Sequence, residues 1–151
     1  APAGEIRGDG LGGLHEADQG ALLELLDHDE RPKLIETLGE DFDFAALTEV
    51  DDNVREEILD ELDPETVIEG VKDLESDDAV YILEDLDKDE QAEILEALPP
   101  SERIALQKSL DYPENSAGRR MQTECIAVPE DWTALQAIEY MRDTPELPDK
   151  F

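Results

Sequence analysis

Carboxylates are the residues of this chain whose type and density could do chemistry. Residues 41–90 hold 21 acidic side chains against Arg55, Lys72 and Lys88. Carboxylates crowded this way repel one another, and a hard divalent cation relieves the repulsion while taking oxygen ligands. Magnesium keeps several of its waters and needs only one or two protein carboxylates, so an adjacent pair such as Asp77 and Asp78 is sufficient. Taken singly, most of these acids read as solvated helix faces and caps. Taken together, they predict weak cation binding.

Sharper chemistry finds no pattern to carry it. Asp27-His28-Asp29 and Asp51-Asp52-Asn53 lack the glycine and terminal glutamate of a calcium loop. His15 and His28 are the only histidines; at thirteen residues apart they read as surface groups rather than a zinc pair. Cys125 has no second cysteine to pair with and is expected to be a small core residue of a strand. There is no phosphate-cradling glycine loop, no nucleophile elbow and no basis for a Ser/His/Asp set, so the chain reads as a non-enzyme.

The bulk charge points the same way. Forty-three acidic and twelve basic residues give a formal charge of −31. Such a surface repels nucleic-acid phosphates and anionic headgroups and attracts cations. No apolar run approaches the ~20 residues of a membrane span, so no direct membrane insertion is expected.

What must position these carboxylates is a series of short helices. Leu26, Leu38, Val50, Leu62, Leu74, Leu86, Leu98 and Leu110 stand twelve residues apart without a gap. Nine residues after each of the first seven come Ile35, Leu47, Leu59, Val71, Leu83, Leu95 and Gln107, and one residue before those come Leu34, Ala46, Ile58, Gly70, Ile82, Ile94 and Leu106. Offsets of eight, nine and twelve lie on one helix face. Turn chemistry follows each unit, as in Asp63-Pro64-Glu65 and Asp87-Lys88-Asp89. The spacing predicts helices of about eight or nine residues that are unstable alone and must stack. The fold class expected is all-α, a superhelical, α-solenoid-like stack. Leu62, Leu74, Leu83, Leu86 and Leu95 should be among the least exposed side chains, and Gly39–Phe44 is the irregular unit.

Residues 1–13 hold five glycines, and residues 1–19 are taken as a flexible leader ahead of a helical domain at 20–115. After that the grammar changes. Asn115–Gly118 reads as a loop, Glu124–Val128 as a strand, and Thr133–Arg142 as a helix closed by Pro145 and Pro148. One strand and one helix do not close a core, so residues 116–151 are expected to be the truncated start of a second, α/β domain.

Several phrases together resemble the cytosolic amino-terminal domain of the MgtE family of magnesium channels and its junction with a CBS domain. They are Leu86-Asp87-Lys88-Asp89-Glu90-Gln91-Ala92-Glu93-Ile94-Leu95, Leu98-Pro99-Pro100-Ser101-Glu102-Arg103 and Tyr112-Pro113-Glu114-Asn115-Ser116-Ala117-Gly118-Arg119-Arg120-Met121. The resemblance spans about residues 20–143. It implies a right-handed superhelix followed by the first strand and helix of a CBS motif. It also implies a magnesium-sensing regulatory domain at the cytoplasmic face of the inner membrane. Its partners would be Mg2+, the CBS domains and the transmembrane pore of the same protein, which would be a homodimer when complete. Cytosolic magnesium would bridge the domains and close the pore. The metal-contacting positions that align are Glu57, Asp77 and, through its backbone carbonyl, Arg119. A second family aspartate aligns with Tyr81, which departs from the pattern. The competing reading is a scaffold similar to the FliG protein of the flagellar motor switch, a related stack of short helices without ion regulation.

Overall fold

The computed structural model describes residues 13–144 and Leu147. The glycine-rich residues 1–12, both prolines after the last helix and Phe151 lie outside the described residues. Among the described residues nine α-helices follow in order: α1 Glu16–Leu25, α2 Arg31–Leu38, α3 Asp52–Glu61, α4 Pro64–Asp73, α5 Ser76–Glu84, α6 Lys88–Ala97, α7 Pro100–Leu110, α8 Ala117–Arg120 and α9 Ala134–Asp143. Short 3-10 turns at His28–Glu30, Gly39–Asp41 and Phe44–Glu49 complete the set. The all-α stack expected from the repeat is what forms.

Each helix starts where local chemistry permits. Proline sits at the start of α2, α4 and α7, where its missing N–H goes unused. Asp87 caps α6 by accepting from the N–H groups of Asp89 and Glu90, both at 2.9 Å, and Glu90 returns a bond to the Asp87 N–H at 3.1 Å. The helices end through the twelve-residue column itself. Leu26, Leu62, Leu74 and Leu98 are C-caps in extended conformation. The N–H groups of Leu26, Leu74 and Leu98 still donate to the carbonyls of Leu23, Val71 and Leu95, three residues earlier. These leucines therefore stand just off the helix rather than one turn further along it, and they turn the chain while keeping a side chain inward.

That geometry redistributes the burial. Ile35, Leu47, Leu59, Val71, Leu83 and Leu95 are all buried, as are Leu34, Ala46, Ile58, Ile82, Ile94 and Leu106. Of the five leucines expected to be least exposed, Leu62, Leu83 and Leu95 are buried, whereas Leu74 and Leu86 are only partly so. The break in the middle column at Gly70 has a packing reason. A Cβ there would stand 2.3 Å from the Phe44 ring, so Phe44 occupies the volume that a larger side chain would take. Gly39, with φ of 52°, makes the irregular turn that brings Phe42 and Phe44 together edge to face at 6.2 Å.

Most helices pack on those one or two places further along: α2 on α3, α4 on α5 and α6, α5 on α7, α6 on α7 and α7 on α8, while α8 also reaches back to α5 and Phe44–Glu49 meets α1, α4 and α5. Two boundaries differ from expectation. Residues 16–19, assigned to the leader, form the first turn of α1. Buried Gln19 fixes that turn by donating to the Leu14 carbonyl and accepting the Asp43 N–H, both at 3.0 Å. The strand expected at Glu124–Val128 does not form, because a strand needs a ladder partner and none pairs with it among the described residues. Cys125 is accordingly exposed rather than a core residue. Helix α9 does form, with a Thr133–Gln136 capping box, but Leu135 and Ile138 are 62% and 41% exposed.

Candidate functional site

Helix α5 positions the carboxylates singled out above. Asp77 and Asp78 occupy its first turn, where the helix dipole favours negative charge even without a ligand. With Thr48, Tyr81 and Arg120 they line an open recess of about 260 Å³. Asp77 Oδ1 is buried and has no hydrogen-bond partner. A buried carboxylate oxygen left without a donor is costly.

The other expected ligand stands elsewhere. Glu57, on α3, is half-exposed and already paired with Arg31 at 2.8 Å. It lines a different crevice with His28, Ile58 and Glu61, where His28 Nδ1 lies 3.1 Å from Glu61. Glu57 Oε2 is held by a guanidinium, whereas Asp77 Oδ1 has no such partner. Among the described residues no group of three or more His, Cys, Asp or Glu side chains converges as a metal cage. The structure brings Asp77 and Asp78 together and keeps Glu57 apart.

Arg119 has a side-chain role that the sequence reading did not assign. It is buried, and it donates to Glu84 Oε1 and to the Leu110 and Tyr112 carbonyls. Arg120 pairs with the other Glu84 oxygen and lies 5.5 Å from the Tyr81 ring. At the opposite end of α5, Glu124 accepts from the Ser76 N–H at 3.2 Å and from its hydroxyl at 2.7 Å.

Sequence reasoning also missed Arg55, which is 1% exposed. It bonds to Asp85, to Asp52 at 2.9 Å and to the Leu47 and Val50 carbonyls at 3.4 Å, with the Tyr81 ring 4.3 Å away. Burial opposes its charge, but the hydrogen bonds it donates to Asp85 and Asp52 outweigh that and hold its pKa above the ordinary arginine value. One signal was available: Arg55 is the only arginine among the 21 acids of residues 41–90. Tyr81, where an acid was expected, sits between two guanidinium groups, Arg55 and Arg120. That is a place for a π face rather than another metal ligand.

A stack of short helices, most opening on a capped or proline-led first turn, defines an all-α helical module. The chain belongs to the family described as the MgtE intracellular N domain, whose model matches residues 14–115. A solved structure described as the soluble part of a magnesium transporter is similar, with a TM-score of 0.64 and 24% identity. The match covers 86% of this chain and 53% of that one, so this chain spans about half the length of that soluble part. No curated protein matches the sequence. No described helix is long and apolar enough to cross a membrane.

Proposed function

We propose that this chain is the magnesium-sensing regulatory region of a magnesium channel or transporter, facing the cytosol, with the helical stack from α1 as the sensor and the residues that follow it leading into the start of a CBS domain. Asp77 Oδ1, buried and unpartnered beside Asp78, is the observation that carries the reading. Asp77 and Asp78 would offer Mg2+ one or two oxygens each, with waters filling the remaining octahedral positions. Glu57 and the Arg119 carbonyl would contribute to further ions shared with the CBS domains. Bound magnesium would neutralise facing carboxylates and let the acidic domain close on the CBS domains, which would hold the pore shut. When magnesium falls, repulsion would separate them. The working unit would be a homodimer of the complete protein.

The recess alone presents few ligands, so this chain by itself should bind Mg2+ only at millimolar concentration, and monovalent salt should weaken that binding. At ten times the dissociation constant such binding stabilises by ~1.4 kcal/mol. The test is calorimetric titration of this chain beside one extended through the CBS pair, each with and without Asp77→Ala and Glu57→Ala. Tighter binding in the extended protein, lost with Asp77→Ala, supports the reading. Equal affinity in both lengths and indifference to Asp77→Ala sink it in favour of a scaffold. Micromolar binding by the short chain, abolished by one substitution, makes the domain a self-sufficient sensor.

A further inference from the structure

The sequence places the domain edge between residues 115 and 116, in the Asn115–Gly118 loop, and the family match stops at residue 115. The hydrogen bonds do not stop there. From Ala117 the chain runs antiparallel along α5 and is tied to it at both ends. At the C-terminal end of α5, Glu84 is 15% exposed and takes Arg119 Nε on one oxygen and Arg120 Nη1 on the other. Arg119 also grips the last turn of α7 and the residue beyond it through the Leu110 and Tyr112 carbonyls. Tyr112 in turn lies so close over Gly118 that a Cβ there would meet its ring at 2.8 Å.

At the N-terminal end of α5 the tie is a saturated hydroxyl. Ser76 Oγ donates to Glu124 and accepts from the Thr123 N–H and the Thr123 hydroxyl, both at 2.8 Å. Ser76 is 4% exposed, whereas Thr123 and Glu124 are exposed, so the bonds are part-buried, closed on the α5 side and open on the other. The four residues from Arg120 to Thr123 span about 10 Å when extended, close to the ~12 Å length of a nine-residue helix. Beyond Glu124 the next hydrogen bonds along the chain are local, such as Trp132 N–H to the Pro129 carbonyl at 3.1 Å.

We propose that Ala117–Glu124 is a strap belonging to the helical domain, and that the pivot toward whatever follows lies at residues 125–131. The strap leaves the domain at Ser76, immediately before Asp77. A pull on the chain beyond Glu124 is therefore delivered to the first turn of α5, and the strap reports between that turn and the following segment. This holds whether or not a cation binds there.

Amide hydrogen exchange on the whole chain tests it. In the wild type, the amides of Arg119 and Thr123 should be protected, and those of residues 125–128 should exchange at least roughly tenfold faster. Ser76→Ala removes the shared acceptor and should speed exchange at Thr123 by roughly tenfold or more while Ile82 and Leu83 in α5 keep their protection. Glu84→Gln should expose the bond after Arg120 to trypsin at a rate roughly tenfold above wild type. Exchange at Thr123 as fast as at residues 125–128 in the wild type overturns the strap. So does an unchanged Thr123 rate in Ser76→Ala, or a loss of protection in Ile82 and Leu83 in step with it, because the segment would then not open by itself. Magnesium affinity is not among the readouts, so failure of the sensor reading leaves this test intact.

Discussion

Replacing Arg55 by Met keeps most of the side-chain volume and removes the charge at the centre of the stack. The cost can be worked from its partners. Asp85, at 18% exposure, loses its counter-charge in a largely dry place. Removing one member of a buried ion pair costs about 3–5 kcal/mol. The Leu47 and Val50 carbonyls lose bonds that are long at 3.4 Å, which adds at most ~1 kcal/mol between them. Asp52 is 78% exposed and rehydrates, so its share is close to nothing. We expect a loss of about 3–6 kcal/mol, or a drop of roughly 1.5–4 M in the urea midpoint at a slope near 1.5–2 kcal/mol per M. The assay is urea unfolding followed by circular dichroism at constant salt. The double variant Arg55→Met with Asp85→Leu should recover at least a third of the loss, since neither partner then remains buried and charged. A loss under 1 kcal/mol, or no recovery in the double variant, refutes the account of Arg55 as a buried electrostatic tie.

Four further outcomes follow from the same geometry. The raised folded pKa of Arg55 means its contribution is complete below the ordinary arginine pKa and fades only above it, so Arg55→Met should cost the same at pH 6 and pH 9; a cost that changes between them by more than ~1 kcal/mol contradicts this. Leu83→Ala should cost about 3–5 kcal/mol and Leu86→Ala clearly less, because Leu83 is fully buried and Leu86 only partly so; equal losses in urea melts would undo that ranking. Gly70→Ala should destabilise by about 1–3 kcal/mol despite alanine's better helix propensity, because the added methyl meets the Phe44 ring, and Phe44→Leu should relieve part of that loss. Asp87→Ala should cost about 1 kcal/mol by removing the α6 cap, read as a shift in the thermal midpoint.

How much of this was legible follows from what each residue depends on. The twelve-residue leucine column and the turn residues after it were readable because they act within one unit: Asp87 caps its own helix, and Pro64 and Pro100 begin theirs. The capping role of Leu62 and Leu98 was not readable, since an apolar residue inside a helix and one just past its end look alike in a spacing pattern. Asp77 and Asp78 were visible as a pair on a helix start, but their exposure depends on Arg120 and Thr48, which come from distant segments. Arg55 and Arg119 were invisible in role because their partners lie 30 and 35 residues away, at Asp85 and Glu84. The strand at Glu124–Val128 was misread because local β preference has no effect without a neighbour to pair with.

The order in which the helices pack has a consequence for the way the chain becomes folded. Most helices find their neighbours one or two units away in sequence. Little entropy is spent closing long loops, and chains built from such near contacts fold in microseconds to milliseconds. A growing polypeptide leaving the ribosome could therefore complete α1 to α4 before α7 exists, adding each helix to a surface already formed. The Arg55–Asp85 tie spans thirty residues and would close only once α5 has been made. Until then Arg55 would lack the cover that the Tyr81 ring gives it, so its charge would stay open to water and be enclosed only as α5 docks, together with its counter-charge.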